Sequence, residues 1–593
     1  MFGTNERFDL TRAVFSRENS CIAFYEEYSG GGLYLTFSRV SPWFVLERRA
    51  LVRLVPLFNG KNIDYSYRAT PTELVIETRA GKLEICIAES ELIRIRGSEG
   101  TGLRLVVEPE YNDCLCPVDY GCIDINLGLH GKMLVVPLRG SASGYAPWNN
   151  QADQPCYLVA DLMPDSFGVL ETAIHCVTRE IVRREIYAQY DVAKAEVDHQ
   201  FETFCKKFPP VEEKYREMAL YAMYTIWSHR MGPSEHSVIQ SPIVQMHRLW
   251  LSHGFAWQQS YNAMAIRNDP EEAWRLIKSM FEYQLGSGML PDWVDFYSVN
   301  YLACKPAIQG FALAFLLEHA DMDGVLTSEE CGRMYEPFCR WADFWLKCRA
   351  SDREGVLVYH HADESGWDEA TIFSKGLPVE APDLMAFVIL LMEACARLAL
   401  GCGRSDEAGE WMRRSRVMLK RLTEEFWDGK QFNARLAKTG EIVPSRSIAC
   451  YQPIILGKRL PQDIIDTIAE ALTDEKEYLS PIGLTSEAMT SPECTYSYLF
   501  MKGRVVAPVQ MLFCVGLQSA GKTGEAKRIA RAFCDKVNQE GMILGYAPSE
   551  IEPATGRPVE NHPFPTPTDP FPWSSWTAAN FLILASTILY GDD

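Results

Sequence analysis

The sequence predicts a two-part chain, an antiparallel β-sandwich followed by an all-α toroid built from helix pairs. Three observations carry this expectation. The first 200 residues alternate apolar and polar side chains over short runs broken by Gly, Pro and Asn, the period-2 pattern of half-buried strands. From about residue 205 the apolar period lengthens to that of a helix. The segments between the helices show no clean repeat and hold Trp, His, Asp and Glu. Helix pairs can form a solenoid, a bundle or a closed barrel. The missing repeat argues against a solenoid, and the polar loops suit a site at one end of a closed ring.

The strand half is expected at Gly32–Val40, Glu73–Gly81, Lys82–Ala88, Leu92–Gly97 and Leu103–Pro109, with further strands in "GKMLVVPLRG" and "QPCYLVADL". Many short strands with turn signals between them fit a sandwich. In the helical half, Tyr215, Met218, Ala219, Ala222 and Ile226 fall on one stripe. About twelve helices are expected, near 212–230, 255–267, 270–285, 305–320, 327–349, 381–401, 404–426, 447–455, 461–473, 503–519, 522–539 and 573–590. The domains therefore read as a sandwich over 1–200, a linker over 201–211 and a helical domain over 212–593.

At 593 residues the chain exceeds a single core. Its 58 basic and 78 acidic residues leave a net charge of -20, which disfavours nucleic acid and anionic membranes as partners. Met1 to Asn19 lacks a signal-peptide core, and apolar runs such as Leu384–Leu391 fall short of a membrane span. A cytoplasmic location is expected, with the 18 cysteines as thiols. Cys114, Cys116 and Cys122 lack paired CxxC spacing. Apart from the adjacent pair His360 and His361, the histidines His247, His253, His360 and His361 are not at zinc-ligand spacing, so neither a metal nor another cofactor is expected. A homo-oligomer is compatible with the sequence.

Gly516 to Thr523 matches GxxxxGK[ST], the phosphate-loop pattern. That chemistry needs a strand before the loop. Here Val509, Leu512, Phe513 and Gly516 recur at helical spacing, so the match reads as a turn between two helices.

The densest polar segment is "HHADESGWDEA", His360 to Ala370. It sets Asp363, Glu364, Asp368 and Glu369 around Gly366 and Trp367. Cleaving a glycosidic bond takes a protonated carboxyl that donates to the leaving oxygen and a second carboxylate on the other side. A carboxyl against a large aromatic can be desolvated and held protonated. Trp367 can supply that wall, and aromatic faces also stack on sugar rings. Composition alone also fits a solvated acidic loop.

Glu364-Ser365-Gly366-Trp367-Asp368 resembles the ESGWD signature of trehalases and of the processing α-glucosidase I group, with its bacterial α-glucosidase and mannosylglycerate hydrolase relatives. "GMLPDWV" (Gly288–Val294), "KPAIQGFALA" (Lys305–Ala314), "APDLMAF" (Ala381–Phe387), "PATGRP" (Pro553–Pro558) and "FPWSSWTAANFLIL" (Phe571–Leu584) resemble further segments of that group in its order. The likeness covers roughly residues 210–590. It implies an (α/α)6 barrel, a carbohydrate substrate and an inverting hydrolase, with Asp368 as general acid. It also implies a sugar pocket lined by Trp257, Gln258, Asp292, Trp293, Lys305, Gln309, Glu364, Trp367, Arg504 and Trp573.

Three departures from the pattern stand out. Gln258 occupies the place of an aspartate that lines the sugar site in this group, keeping hydrogen bonding without charge. Val506 replaces a tryptophan, and Arg504 adds a charge beside it. The position of the group's catalytic glutamate falls on Ser549. Glu550 is the first candidate base, with Glu552 and Glu560 as alternatives. The expected activity is hydrolysis of a small α-linked glycoside or oligosaccharide. The alternatives are another carbohydrate chemistry on the same architecture (rhamnosidase-like, β-specific or lyase) or an inactive sugar-binding protein.

Overall fold

The computed structural model describes residues 9–11, 13–27, 31–37, 51–177, 181, 183–235, 237–248, 251–495, 501–540, 551–552, 557–558 and 574–591. Two antiparallel sheets form the N-terminal part of the chain, up to Val177. In one, the order is Ala23–Glu27, Gly32–Thr36, Val52–Phe58, Thr101–Val107, Leu158–Met163 and Ser141–Tyr145. The other runs Asp113–Pro117, Ile123–Leu127, Lys132–Arg139, Leu170–Val177, Leu92–Gly97, Lys82–Glu89, Leu74–Thr78 and Tyr65–Ala69. Alternation shows at Leu158–Met163, where Leu158, Ala160 and Leu162 are wholly buried while Val159, Asp161 and Met163 between them keep some exposure, so one face of that strand packs inward.

The last strand of the second sheet ends at Val177, and helix α1 (Tyr190–Cys205) follows. Residues 190–200 are thus helical where strands were expected. Tyr190, Ala193, Val197, Phe201 and Phe204 are buried along one side of α1, the helical spacing that a strand template misreads over so short a run.

The remaining helices are α2 (Arg216–His229), α3 (Ala256–Ala265), α4 (Pro270–Lys278), α5 (Gln309–His319), α6 (Ser328–Cys348), α7 (Pro382–Gly401), α8 (Ser405–Arg421), α9 (Gln462–Thr473), α10 (Ala507–Ser519), α11 (Thr523–Glu540) and α12 (Ser575–Ile583). Expected residues 447–455 form a 3-10 helix, Ile448–Arg459. Pro453 within it lacks the amide an α-helix needs and constrains Gln452 before it. Around the ring, α3 packs on α5, α5 on α7, α7 on the 3-10 helix, the 3-10 helix on α10, α10 on α12, and α12 back on α3. The ring is closed. Helices α2, α4, α6, α8, α9 and α11 pack outside it. This is the (α/α)6 barrel.

Helix α7 is long and apolar enough to cross a membrane by length and composition, contrary to the reading of short apolar runs. Most of it is buried within the barrel, so its apolar surface is taken up by helix packing. Helix starts are marked by local chemistry. Asp269 caps α4 by accepting from the Glu272 amide at 3.0 Å, ahead of Pro270. Gly516 lies inside α10, where a Cβ would come within 2.8 Å of the Ile454 carbonyl oxygen. That glycine serves helix approach, and Lys522 in the following turn pairs with Asp466 at 2.8 Å.

The N-terminal segment ties sandwich to barrel. Tyr224 on α2 donates to the Val14 carbonyl at 2.8 Å and accepts the Ser16 amide at 2.9 Å. The buried Arg248 guanidinium donates to Ser16 Oγ at 3.2 Å and to the Arg17 carbonyl at 3.1 Å.

Candidate active site

In an alternating barrel, every segment leading into an inner helix emerges at the same end. Trp257 and Gln258 open α3. Asp292, Trp293, Lys305 and Gln309 lead into α5. Glu364, Trp367 and Asp368 lie on the segment entering α7, and Arg504 on the one entering α10. Residues far apart in the chain therefore converge on one mouth, toward which the positive ends of the inner helices point.

The loop at 360–370 is built to fix Asp368. Glu364 is 2% exposed. One of its oxygens takes Arg349 Nε at 2.8 Å, and the other accepts the His360 and His361 amides at 2.8 and 3.3 Å. Ser365 Oγ donates to the Ala362 carbonyl and accepts the Trp367 amide. Gly366 has φ +70°, and a Cβ there would come within 2.5 Å of the Trp257 ring. The loop backbone thus lies against the indole, and glycine is required twice over. Trp257 is in turn backed edge-on by Trp576, with ring centroids 5.3 Å apart.

Asp368 stays partly exposed, while its Oδ1 is closed off and has no hydrogen-bond partner among the described residues. Burial pushes its carboxyl above the ordinary range, Lys305 pulls it down, and Asp363 pushes it up again. Lys305 Nζ donates to the Asp363 carbonyl at 2.9 Å and lies 3.6 Å from Asp292 Oδ1. Burial disfavours its charge, but Asp292, Asp368 and Asp363 together outweigh that and hold it protonated. Burial lifts Asp292 to about 6, against the pull of Lys305. Burial, then Asp368, lifts Glu369 to about 7. One lysine among several partly desolvated carboxyls leaves protons on some of them near neutral pH, as acid catalysis needs.

The match of residues 252–574 to the model of the mannosylglycerate hydrolase MGH1-like glycoside hydrolase domain decides the family. The chain belongs to it. The matched stretch runs from just before α3 to Ser574, which caps α12, so it takes in the whole mouth of this glycoside hydrolase. A bacterial glucoamylase complexed with acarbose is 11% identical, with 99% of this chain and 96% of that chain covered at a TM-score of 0.60. The GH63 mannosylglycerate hydrolase of Thermus thermophilus in complex with Tris is 16% identical, with 62% of this chain and 99% of that one covered at a TM-score of 0.50. At such identities both report the fold alone, sandwich plus barrel in the first case. No curated protein matches the chain.

The remaining expected site residues divide in three. Trp293 packs edge-on against His253, with centroids 4.0 Å apart, and Gln309 accepts from Trp341 Nε1 at 3.0 Å. Arg504 is 2% exposed. Glu550, Glu560 and Trp573 lie outside the described residues, as does the side chain of Glu552, whose backbone pairs with Arg557. Gln258 is 1% exposed, and neither end of its amide has a partner among the described residues. Sequence reasoning missed Gln452, equally buried and unpartnered on the 3-10 helix. A glutamine inside the apolar run "CYQPII" was the available signal. Buried amides of this kind take partners from water or a bound ligand.

Proposed function

We propose that this glycoside hydrolase inverts the anomeric centre of a small α-linked glycoside, with Asp368 as the general acid and Glu550 as the base, Glu552 and Glu560 being the alternatives. The observation that carries the reading is the Asp368 carboxyl itself. It stands partly open at the barrel mouth on a loop fixed by Glu364 and Trp257, with burial favouring its protonated form.

In this reading Asp368 gives its proton to the leaving oxygen while a glutamate on the segment entering α12 draws a proton from water on the opposite ring face. The two carboxyls then stand about 6.5–9.5 Å apart. Glu364, saturated by Arg349 and two backbone amides, positions the loop rather than meeting the sugar. Lys305 keeps Asp292 and Asp368 from repelling one another and supplies a cation at the rim. Gln258 and Gln452 offer neutral donor and acceptor pairs, which suit hydroxyl groups better than charged ones. Trp257, Trp293, Trp367 and Trp573 supply apolar faces for sugar rings.

A panel of nitrophenyl α- and β-glycosides and natural disaccharides, followed by NMR of the first-formed product anomer, tests this. The reading expects turnover of an α-glycoside with a β-configured first product. Retention, β-specific turnover, or sugar binding in calorimetry without any release refutes it, the last pointing to an inactive binding protein.

A further inference from the structure

The sandwich carries aromatic residues that its core does not use. Tyr120 is 80% exposed, and its φ of +62° is a left-handed conformation that a bulky side chain adopts only under constraint. Arg183 lies over its ring at 4.9 Å, holding the ring from one side. Beside it opens a cavity of about 420 Å³, whose walls include Asp124, Lys132 and Leu134. Lys132 and Asp124 pair at 2.8 Å on that wall, and with Asp119, Glu185 and Arg183 also lining it, three carboxylates stand against two cations. The short helix bearing Tyr120 (Asp119–Gly121) packs against the strand Ser141–Tyr145. That strand ends on a second exposed group: Tyr145 and Tyr157 with centroids 5.8 Å apart, and Trp148, about half exposed, on the small hairpin between them.

We propose that this edge of the sandwich is a second carbohydrate-binding surface, which holds a neutral oligosaccharide chain apart from the barrel mouth. Apolar groups gathered on one face and rimmed by polar residues mark a surface that meets a ligand. Rings standing out of a polar rim of mixed charge match the alternating apolar and hydroxyl faces of a neutral sugar chain. A highly charged ligand would need a stronger excess of one charge than this wall of three carboxylates and two cations offers. The outlier at Tyr120 places a ring at the cavity edge at a cost in backbone strain. The inference rests on the carbohydrate activity of the family and not on the assignment of Asp368.

The test is affinity electrophoresis of the full chain in native gels cast with soluble amylopectin, glycogen or pullulan. Tyr120→Ala, Trp148→Ala and wild type are compared, alongside turnover of whichever aryl glycoside the protein accepts. Wild type is expected to be retarded in at least one of the three gels, and each variant to lose about tenfold or more in apparent affinity with aryl-glycoside turnover unchanged. Retardation equal in wild type and both variants overturns the proposal, as does migration unaffected by all three polysaccharides. Loss of folding is read separately from the melting temperature, and Tyr120→Phe, which keeps the ring, is expected to bind as wild type does. Because binding is read without turnover, failure here and failure of the Asp368 assignment give different results.

Discussion

Glu84 and Glu89 in the sandwich and Asp292, Asp368 and Glu369 at the barrel mouth end on opposite sides of the ordinary carboxyl range. Arg184 pairs with Glu89 and draws its carboxyl down. Burial raises Glu84, but Arg96 and Lys82 together outweigh it. In the barrel, burial raises Asp292, Asp368, Glu369 and Asp383 with too little positive charge to offset it. Asp383, at the start of α7, reaches about 7 although Tyr359 donates to it at 2.9 Å. The sandwich sets an arginine or lysine beside each of these carboxylates and gains rigidity. The barrel mouth sets one lysine, Lys305, among several buried carboxyls and keeps groups that can carry a proton near neutral pH.

The sharpest way to break this contrast is to make a paired barrel carboxylate resemble its unpaired neighbours. Arg349→Met strips the cation from Glu364 and leaves it the two loop amides, and removing one partner of a buried ion pair costs about 3–5 kcal/mol. Chemical denaturation should show a loss of that size together with loss of turnover. A variant as stable as wild type would mean that Glu364 does not depend on its partner.

The second test uses pH. The folded value of Asp383 is raised from an ordinary value of about 4 to about 7. Its favourable contribution is therefore full below about pH 4 and is lost as pH rises toward 7. Glu89 in the sandwich is lowered, so its contribution is present above its ordinary value and lost as pH falls. Asp383→Asn should flatten the decline in stability between pH 4 and 7 by on the order of 2–4 kcal/mol, measured by urea unfolding. An unchanged slope would contradict the assignment.

A third variant probes loop geometry. Gly366→Ala faces a positive φ and the Trp257 ring together, which should cost about 1–3 kcal/mol. It should also lower kcat by moving Asp368. At the small end, breaking the exposed sandwich pair Arg68–Glu77 (3.3 Å) should change stability by less than about 0.5 kcal/mol.

Much of this was legible in the chain because it depends on period and local chemistry. The barrel helices lie where apolar spacing puts them, and the strands from Leu74 to Val107 do likewise. The 360–370 loop announces itself through carboxylates around Gly366 and Trp367. Other features need three dimensions. Gly366 looks like a turn residue, but its contact with Trp257 joins positions over a hundred residues apart. The resemblance implies that Glu364 lines the sugar pocket, and its hydrogen bonds to Arg349 and the loop amides show only in the fold. Helix α1 hides behind a short apolar pattern next to the strands. The phosphate-loop pattern at Gly516 has no strand before it, because that glycine lies inside helix α10.

The most direct test compares Asp368→Asn with wild type across α-glycosides whose leaving groups run from a sugar alcohol to fluoride. A group that donates the proton matters only where the leaving oxygen needs one. The variant should lose about 100- to 10,000-fold on the alcohol, retain most of the wild-type rate on the fluoride, and melt at the wild-type temperature. An equal loss on both substrates, or none on either, would contradict the role given to Asp368.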